Sequence, residues 1–378
     1  MEPRHRRARR VAAFILIAAA QFCLFELGLR RWGSSEAAPA FQGLFTVDPL
    51  AGYRLEPGAR IRFTTSEFDT EIAINRSGVR DDEELGPKPP GERRIAILGD
   101  SLVLSVQVPF EQTFGELLER RLNARQSRYR YRVINAGVQG YGPVEELFFL
   151  RSVVIPLQPD IVIHTLFVGN DAEEALTSAP RLAGTARPVS ETLREDAATG
   201  MRRLVRRSMV LQILRLRTVP VVERFAGPLK APEAPLQSYA EHPAPRIAEG
   251  LAIVRRSVQA VRDEAAGAGA RAAVVLMPAR FQVDDADYGR LRDAVAQSGG
   301  QLRRDGATER FDRALADTGI PRFDVLPALR RALPGPDLFF QQTVHLTPRG
   351  HEVVAEALDQ FLRQSGLLDE RPASVMAR

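Results

Sequence analysis

The strongest constraint on the fold is a nine-residue stretch, residues 160–168 (DIVIHTLFV), in which apolar residues run almost without interruption. A strand with one face in water alternates polar and apolar positions. A nearly continuous run bounded by polar residues therefore points to a strand covered on both faces. Shorter runs of the same texture recur at residues 94–98, 130–135, 271–277 and, more weakly, 322–326. Segments with helical spacing lie among them, at residues 110–124, about 144–157, about 246–265 and 351–364. This alternation predicts a mostly parallel sheet with helices on both faces. A content of 44% hydrophobic and 26% charged residues fits a folded chain rather than a disordered one.

The net charge of +5 is localised. The first 31 residues hold seven arginines and two glutamates, and the rest of the chain holds 45 basic and 45 acidic residues. A long-range field drawing polyanions to the whole protein is therefore not indicated, and no nucleic-acid partner is expected. Arg4, Arg6, Arg7, Arg9 and Arg10 precede an apolar run, residues 11–25, broken only by Gln21. Residues 27–29 extend it past Glu26, and Arg30 and Arg31 close it. At 1.5 Å per residue, residues 11–29 span about 28 Å, enough for a bilayer core. The arginine bias predicts a single-pass inner-membrane anchor, with the rest of the chain on the periplasmic side. A cleaved signal is the alternative, although Ala38-Pro39-Ala40 lies far beyond the apolar run. The single cysteine, Cys23, falls inside the run, which excludes a disulfide framework and a thiolate zinc cluster.

The chain divides into a basic N-terminus and anchor (1–31), a linker (32–41), a small strand-rich leader (42–92), an α/β domain (93–368) and a tail (369–378). The domain's regular pattern is interrupted by an insert at 172–245. Within it, residues 201–217 carry six arginines and no acid at near-helical spacing, as a lid helix or a membrane-surface helix would. Five prolines between 228 and 245 read as a loop returning to the core.

Chemistry in parallel-sheet folds gathers at the carboxyl ends of strands. Ser101 follows the run AILGD, Gly137 closes INAG, and Asn170 follows LFVG. Far downstream, His345 stands just before the last helix, in VHLTPRGH. A serine at a strand-to-helix turn, with a histidine within reach, is the arrangement of a nucleophile and its general base.

Here the chain resembles the SGNH/GDSL hydrolase family. Ser101, Gly137, Asn170 and His345 occur in the family's order, within the flanking patterns AILGDSL, INAGVQGYG, LFVGND and VHLTPRGHEVVAEAL. The similarity spans roughly residues 93–367. The leader, with GYRLEPG and NRSGVR, looks like that of membrane-anchored bacterial members. The resemblance implies a three-layer α/β/α, flavodoxin-like domain and serine ester hydrolysis with no metal or cofactor. The substrate would be O-acyl groups of a cell-envelope polysaccharide or lipid. Ser101 and His345 would be catalytic, and the N–H groups of Ser101 and Gly137 with the Asn170 side chain would form the oxyanion hole.

One position departs from the pattern. The family usually has an aspartate a few residues before the histidine to orient its ring, and here Gln342 stands three before. Gln342 can accept a hydrogen bond but cannot offset an imidazolium's charge. Asp337 is the nearest upstream carboxylate. Loss of a triad aspartate in a serine protease costs about 10⁴-fold in kcat. A Ser–His dyad, a carboxylate from elsewhere and a domain that binds without turnover all remain open. So do O-acyl transfer on the same fold and a non-catalytic envelope glycan-binding or assembly role.

Overall fold

The computed structural model describes residues 43–182, 236–333 and 337–369, together with Gln21. The anchor expected at 11–29, the linker at 32–41, the arginine-rich piece at 201–217 and nearly all of the tail lie outside these residues. Among the described residues, no helix is long and apolar enough to cross a membrane.

The leader is two antiparallel hairpins. In the first, β1 (Phe45–Asp48) pairs with β2 (Gly52–Leu55). The Asp48 carboxylate closes its turn by accepting from the N–H groups of Leu50 and Ala51. In the second, β3 (Arg60–Thr64) pairs with β4 (Asp69–Ala73), Thr64 facing Asp69. Thr65 Oγ1 accepts from Glu67 N and Phe68 N and so fixes the tip.

The central sheet contains β5 (Glu92–Gly99), β6 (Arg130–Gly137), β7 (Ile161–Phe167), β8 (Arg271–Met277) and β9 (Arg322–Asp324). Their order is β6-β5-β7-β8-β9, every pair parallel. The helices are α1 (Ser101–Leu104), α2 (Phe114–Asn123), α3 (Pro143–Phe149), α4 (Asp171–Leu182), α5 (Pro245–Gly267), α6 (Arg280–Val283), α7 (Asp285–Gln297), α8 (Gly306–Leu315), α9 (Leu326–Arg331) and α10 (Pro348–Gln364). One face of the sheet buries Ile95, Ile97, Ile163 and Val275 against Phe114 and Leu118 of α2 and Val354, Leu358 and Leu362 of α10. The other buries Leu166, Val274 and Leu276 against Ile247, Val254 and Val258 of α5 and Phe311 of α8. The predicted α/β class and the two covered faces are therefore present. Each fully buried side chain of this kind contributes about 1.5–3 kcal/mol of transfer free energy.

Three local expectations need correction. The helix expected at 110–124 is split, because Thr113 is extended and caps α2 by accepting from Glu116 N. The helix expected at 144–157 widens at residues 150–154 into a π-turn. Pro156 offers no N–H to the preceding turn, so the helical pattern cannot run through it regularly. The insert begins later than residue 172, since α4 packs its buried Ala172 and Ala175 into the core with α5.

Candidate active site

Ser101 opens α1 directly after β5. Asp100 caps that short helix, its Oδ1 accepting from Leu102 N at 2.8 Å. The loop that follows α1 is held from the leader. Arg80, 1% exposed, donates to the carbonyls of Leu104, Ser105 and Val108. Ser105 sits at φ 55 and turns the chain out of the helix.

His345 Nε2 lies 2.9 Å from Ser101 Oγ, although 244 residues separate them. The histidine is carried on a tight loop. Phe340 N donates to His345 O at 2.9 Å, Thr347 N donates to Leu338 O at 3.0 Å, and Phe339 bridges Leu346. His345 is part-exposed, but its Nδ1 is closed off from solvent and has no hydrogen-bond partner among the described residues. Burial pushes its pKa down to about 4, so the ring is neutral at physiological pH.

Neither residue expected to orient that ring does so. Residues 341–344 form the tip of the loop, and the tip points at the leader. Gln342 is exposed, and its side chain exchanges hydrogen bonds with Ser66. Asp337 is exposed too, and its Oδ2 accepts from Gln341 Nε2 at 3.2 Å.

The expected oxyanion donors are partly engaged. Gly137 N donates to Asn135 Oδ1 at 3.2 Å, and Asn135 Nδ2 donates to Val103 O at 2.7 Å. Gly137 is required for a packing reason as well. A Cβ there would lie 2.2 Å from Leu104 N, so only glycine lets α1 rest on the end of β6. Asn170 Nδ2 donates one hydrogen to Glu174 Oε1 at 2.7 Å, and the amide carries a second.

Behind Ser101 and Asn170 lies a buried acidic cluster that the sequence did not reveal. Burial, and then the mutual charges of Asp100, Asp171, Glu145 and Glu174, push the Glu146 carboxyl well above its usual range. Asp171 is raised for the same reasons, and Glu174 is raised to about 8. Glu146 Oε2 meets His164 Nε2 at 2.6 Å, both groups fully buried. Glu174 thus keeps its proton near neutral pH. Among the described residues, no group of three or more His, Cys, Asp or Glu is arranged to hold a metal ion.

A cavity of about 610 Å³ opens beside Asn170 and Val344, the neighbour of His345. Phe167, Tyr239, Phe281 and Leu291 give it a largely apolar lining. It is of the size that small-molecule sites occupy.

Residues 237–377 match a family described as the SGNH hydrolase-like domain of acetyltransferase AlgX. A curated relative, the "Probable alginate O-acetylase AlgJ" of Azotobacter vinelandii, is 29% identical over 113 residues. That match covers 30% of this chain and 27% of the relative, so the chain spans about a quarter of the curated relative it matches. Among solved structures, TesA aligns with 73% of this chain and 100% of its own at 13% identity and a TM-score of 0.41. A catalytic mutant of Axe2, an acetylxylan esterase from Geobacillus stearothermophilus, aligns with 75% and 100% at 13% identity and a TM-score of 0.38. Residues 237–377 are thus similar to an SGNH hydrolase-like domain, and the parallel sheet carries Ser101, Gly137, Asn170 and His345 in the order that the sequence motifs led one to expect.

Proposed function

We propose that the chain is a serine-dependent acyl-ester enzyme acting on O-acetyl or related O-acyl groups of an envelope polysaccharide. The observation that carries this reading is the 2.9 Å approach of His345 Nε2 to Ser101 Oγ at the carboxyl end of the sheet. Because the ring is neutral, Nε2 is free to take the serine proton as Oγ attacks the ester carbonyl. The C–O bond to the alcohol then breaks, and the same proton passes to that leaving oxygen, leaving Ser101 acylated. Asn170, through its second amide hydrogen, is the donor for the tetrahedral oxyanion, with Ser101 N beside it. Gly137 N contributes only on releasing Asn135.

The acyl-enzyme can be resolved by water or by a sugar hydroxyl. The match to an acetyltransferase domain and the partial match to an alginate O-acetylase favour the second acceptor as an alternative outcome. The cavity beside Asn170 and Val344 offers room for a bound acyl or sugar group. Anchoring through residues 11–29, with the domain on the periplasmic side, belongs to the same proposal and rests on the arginine bias.

The test is product analysis with the full chain in detergent, supplied with p-nitrophenyl acetate, alone and with an oligosaccharide acceptor. Release of acetate identifies hydrolysis, and acetylated oligosaccharide identifies transfer. Either product formed equally well by Ser101→Ala refutes the assignment. Glycan binding with neither product supports a binding protein instead.

A further inference from the structure

We propose that Glu67, at the tip of the leader's β3–β4 hairpin, is a positioning residue for His345 and takes over the orienting work of the absent aspartate. The inference rests on the reading of Ser101 and His345 as the reacting pair.

The starting point is the imidazole itself. Its Nε2 faces Ser101, and its Nδ1 has no acceptor among the described residues, so no side chain fixes the ring from behind. Its direction must then come from the backbone that carries it. That backbone is a loop, and a loop tip is ordinarily among the more mobile parts of a fold. Here the tip is gripped from two sides.

On the N–H side, Glu67 Oε1 accepts from Gln341 N at 2.7 Å and Oε2 from Gln342 N at 2.9 Å. On the carbonyl side, Arg280 Nη1 donates to Phe340 O at 2.9 Å and to Gln341 O at 2.8 Å. Arg280 is itself held by an ion pair with Asp287. Adjacent peptide groups thus sit between a carboxylate and a guanidinium, an arrangement of charge-assisted hydrogen bonds aligned with the peptide dipoles. The Phe68 ring adds a contact with Phe340, centroids 5.5 Å apart. The hold passes to the histidine in one step, since Phe340 N donates to His345 O.

A triad aspartate would act on Nδ1 and would also stabilise the imidazolium. Glu67 reaches neither ring nitrogen, so its contribution is geometric. It keeps Nε2 at reacting distance and leaves the imidazole's basicity to burial. Both oxygens of Glu67 are used, each on a separate N–H. A glutamine there would satisfy one N–H and present its own amide hydrogens to the other.

The experiment compares the full-length wild type in detergent with Glu67→Gln, Asp69→Asn and Ser101→Ala on p-nitrophenyl acetate. Glu67→Gln is isosteric at a part-exposed site. It is expected to lower kcat about tenfold or more, because a small misplacement of a catalytic group has effects of this order, with KM nearly unchanged. Asp69→Asn weakens the same hairpin, since Asp69 bonds Arg62 and Thr64, but does not touch the His345 loop. It is expected to leave kcat at the wild-type value. In protein labelled with ¹⁵N-histidine, Glu67→Gln should shift the imidazole signals of His345 and leave those of the core residues His164 and His351 in place.

Wild-type kcat in Glu67→Gln, an equal loss in Asp69→Asn, or a shift of all three histidines alike overturns the proposal. If turnover is Ser101-dependent and Glu67→Gln is unimpaired, only the positioning role fails. If Ser101→Ala turns over as fast as the wild type, the underlying reading fails and this one with it.

Discussion

Replacing Gly137 by alanine separates two roles that glycine could have at this strand end. A glycine kept only to expose its N–H would tolerate a methyl group pointing elsewhere. The structure places the methyl 2.2 Å from Leu104 N, 2.6 Å from Val103 C and 2.8 Å from Leu104 Cα, all backbone atoms of α1. Backbone cannot step aside as a long side chain can, so the helix must lift by about 1 Å to restore ordinary contact. Overpacking of this kind costs about 1–3 kcal/mol of stability. The same shift moves Ser101, which α1 carries, and about 1 Å of misplacement can cost 10²-fold in rate. The assay is Ser101-dependent hydrolysis of p-nitrophenyl acetate paired with urea unfolding. Gly289→Ala in α7 is the control, since nothing lies within 4 Å of its added Cβ. There the helix should gain about 0.5–1 kcal/mol, with turnover unchanged. Gly137→Ala with wild-type stability and wild-type turnover would refute the packing argument.

Three further outcomes follow from burial and charge. Because burial depresses His345 to about 4, the acid limb of kcat/KM should have its midpoint near pH 4; a midpoint near 6.5 would show an ordinary, solvated imidazole. Glu174, raised from 4.5 to about 8 by burial and neighbouring carboxylates, keeps a proton that the unfolded chain releases. Its contribution to stability is therefore lost as pH rises from 4.5 to 8, at up to about 1.4 kcal/mol per pH unit. The buried histidines, depressed below 6.5, add to stability as pH rises only up to about 6.5. Between pH 6.5 and 8 the urea midpoint should thus fall, and Glu174→Gln should flatten the decline; a rising midpoint would contradict it. Arg80→Met leaves the carbonyls of Leu104, Ser105 and Val108 without their donor. At about 1–3 kcal/mol for each buried orphan, a loss of roughly 3 kcal/mol or more is expected in urea unfolding, and a loss under about 1 would refute it.

Much of the sheet was legible because β7 and its neighbours are covered on both faces and advertise it by unbroken apolar runs. The run at 160–168 contains β7, and the run at 271–277 matches β8 residue for residue. Helix α7 was missed for the opposite reason. It has no buried residue, and its short apolar stripe of Tyr288, Leu291 and Val295 is only part-covered, a weak signal among its charged neighbours. Ser101, Asn170 and His345 could be read because a resemblance of motifs fixed them. The supports around them could not. Glu67 and Arg280 act on backbone groups of residues 340–342, and a contact to backbone leaves no trace in the partner's side chains. The buried carboxyls were hidden because Glu145, Glu146, Asp171 and Glu174 look like the exposed acids of ordinary amphipathic helices until the packing of α3 against α4 turns them inward. Gln342 drew attention through its position in the motif, yet the short loop that sets His345 against Ser101 turns the Gln342 side chain away from the ring.

The central claim is that Ser101 and His345 form one reacting unit. Mass spectrometry of the full chain after treatment with a fluorophosphonate tests it most directly. The account predicts a single covalent adduct on Ser101, absent in Ser101→Ala and formed far more slowly in His345→Ala. An unmodified Ser101 in the native protein, or labelling as fast without His345 as with it, would contradict it.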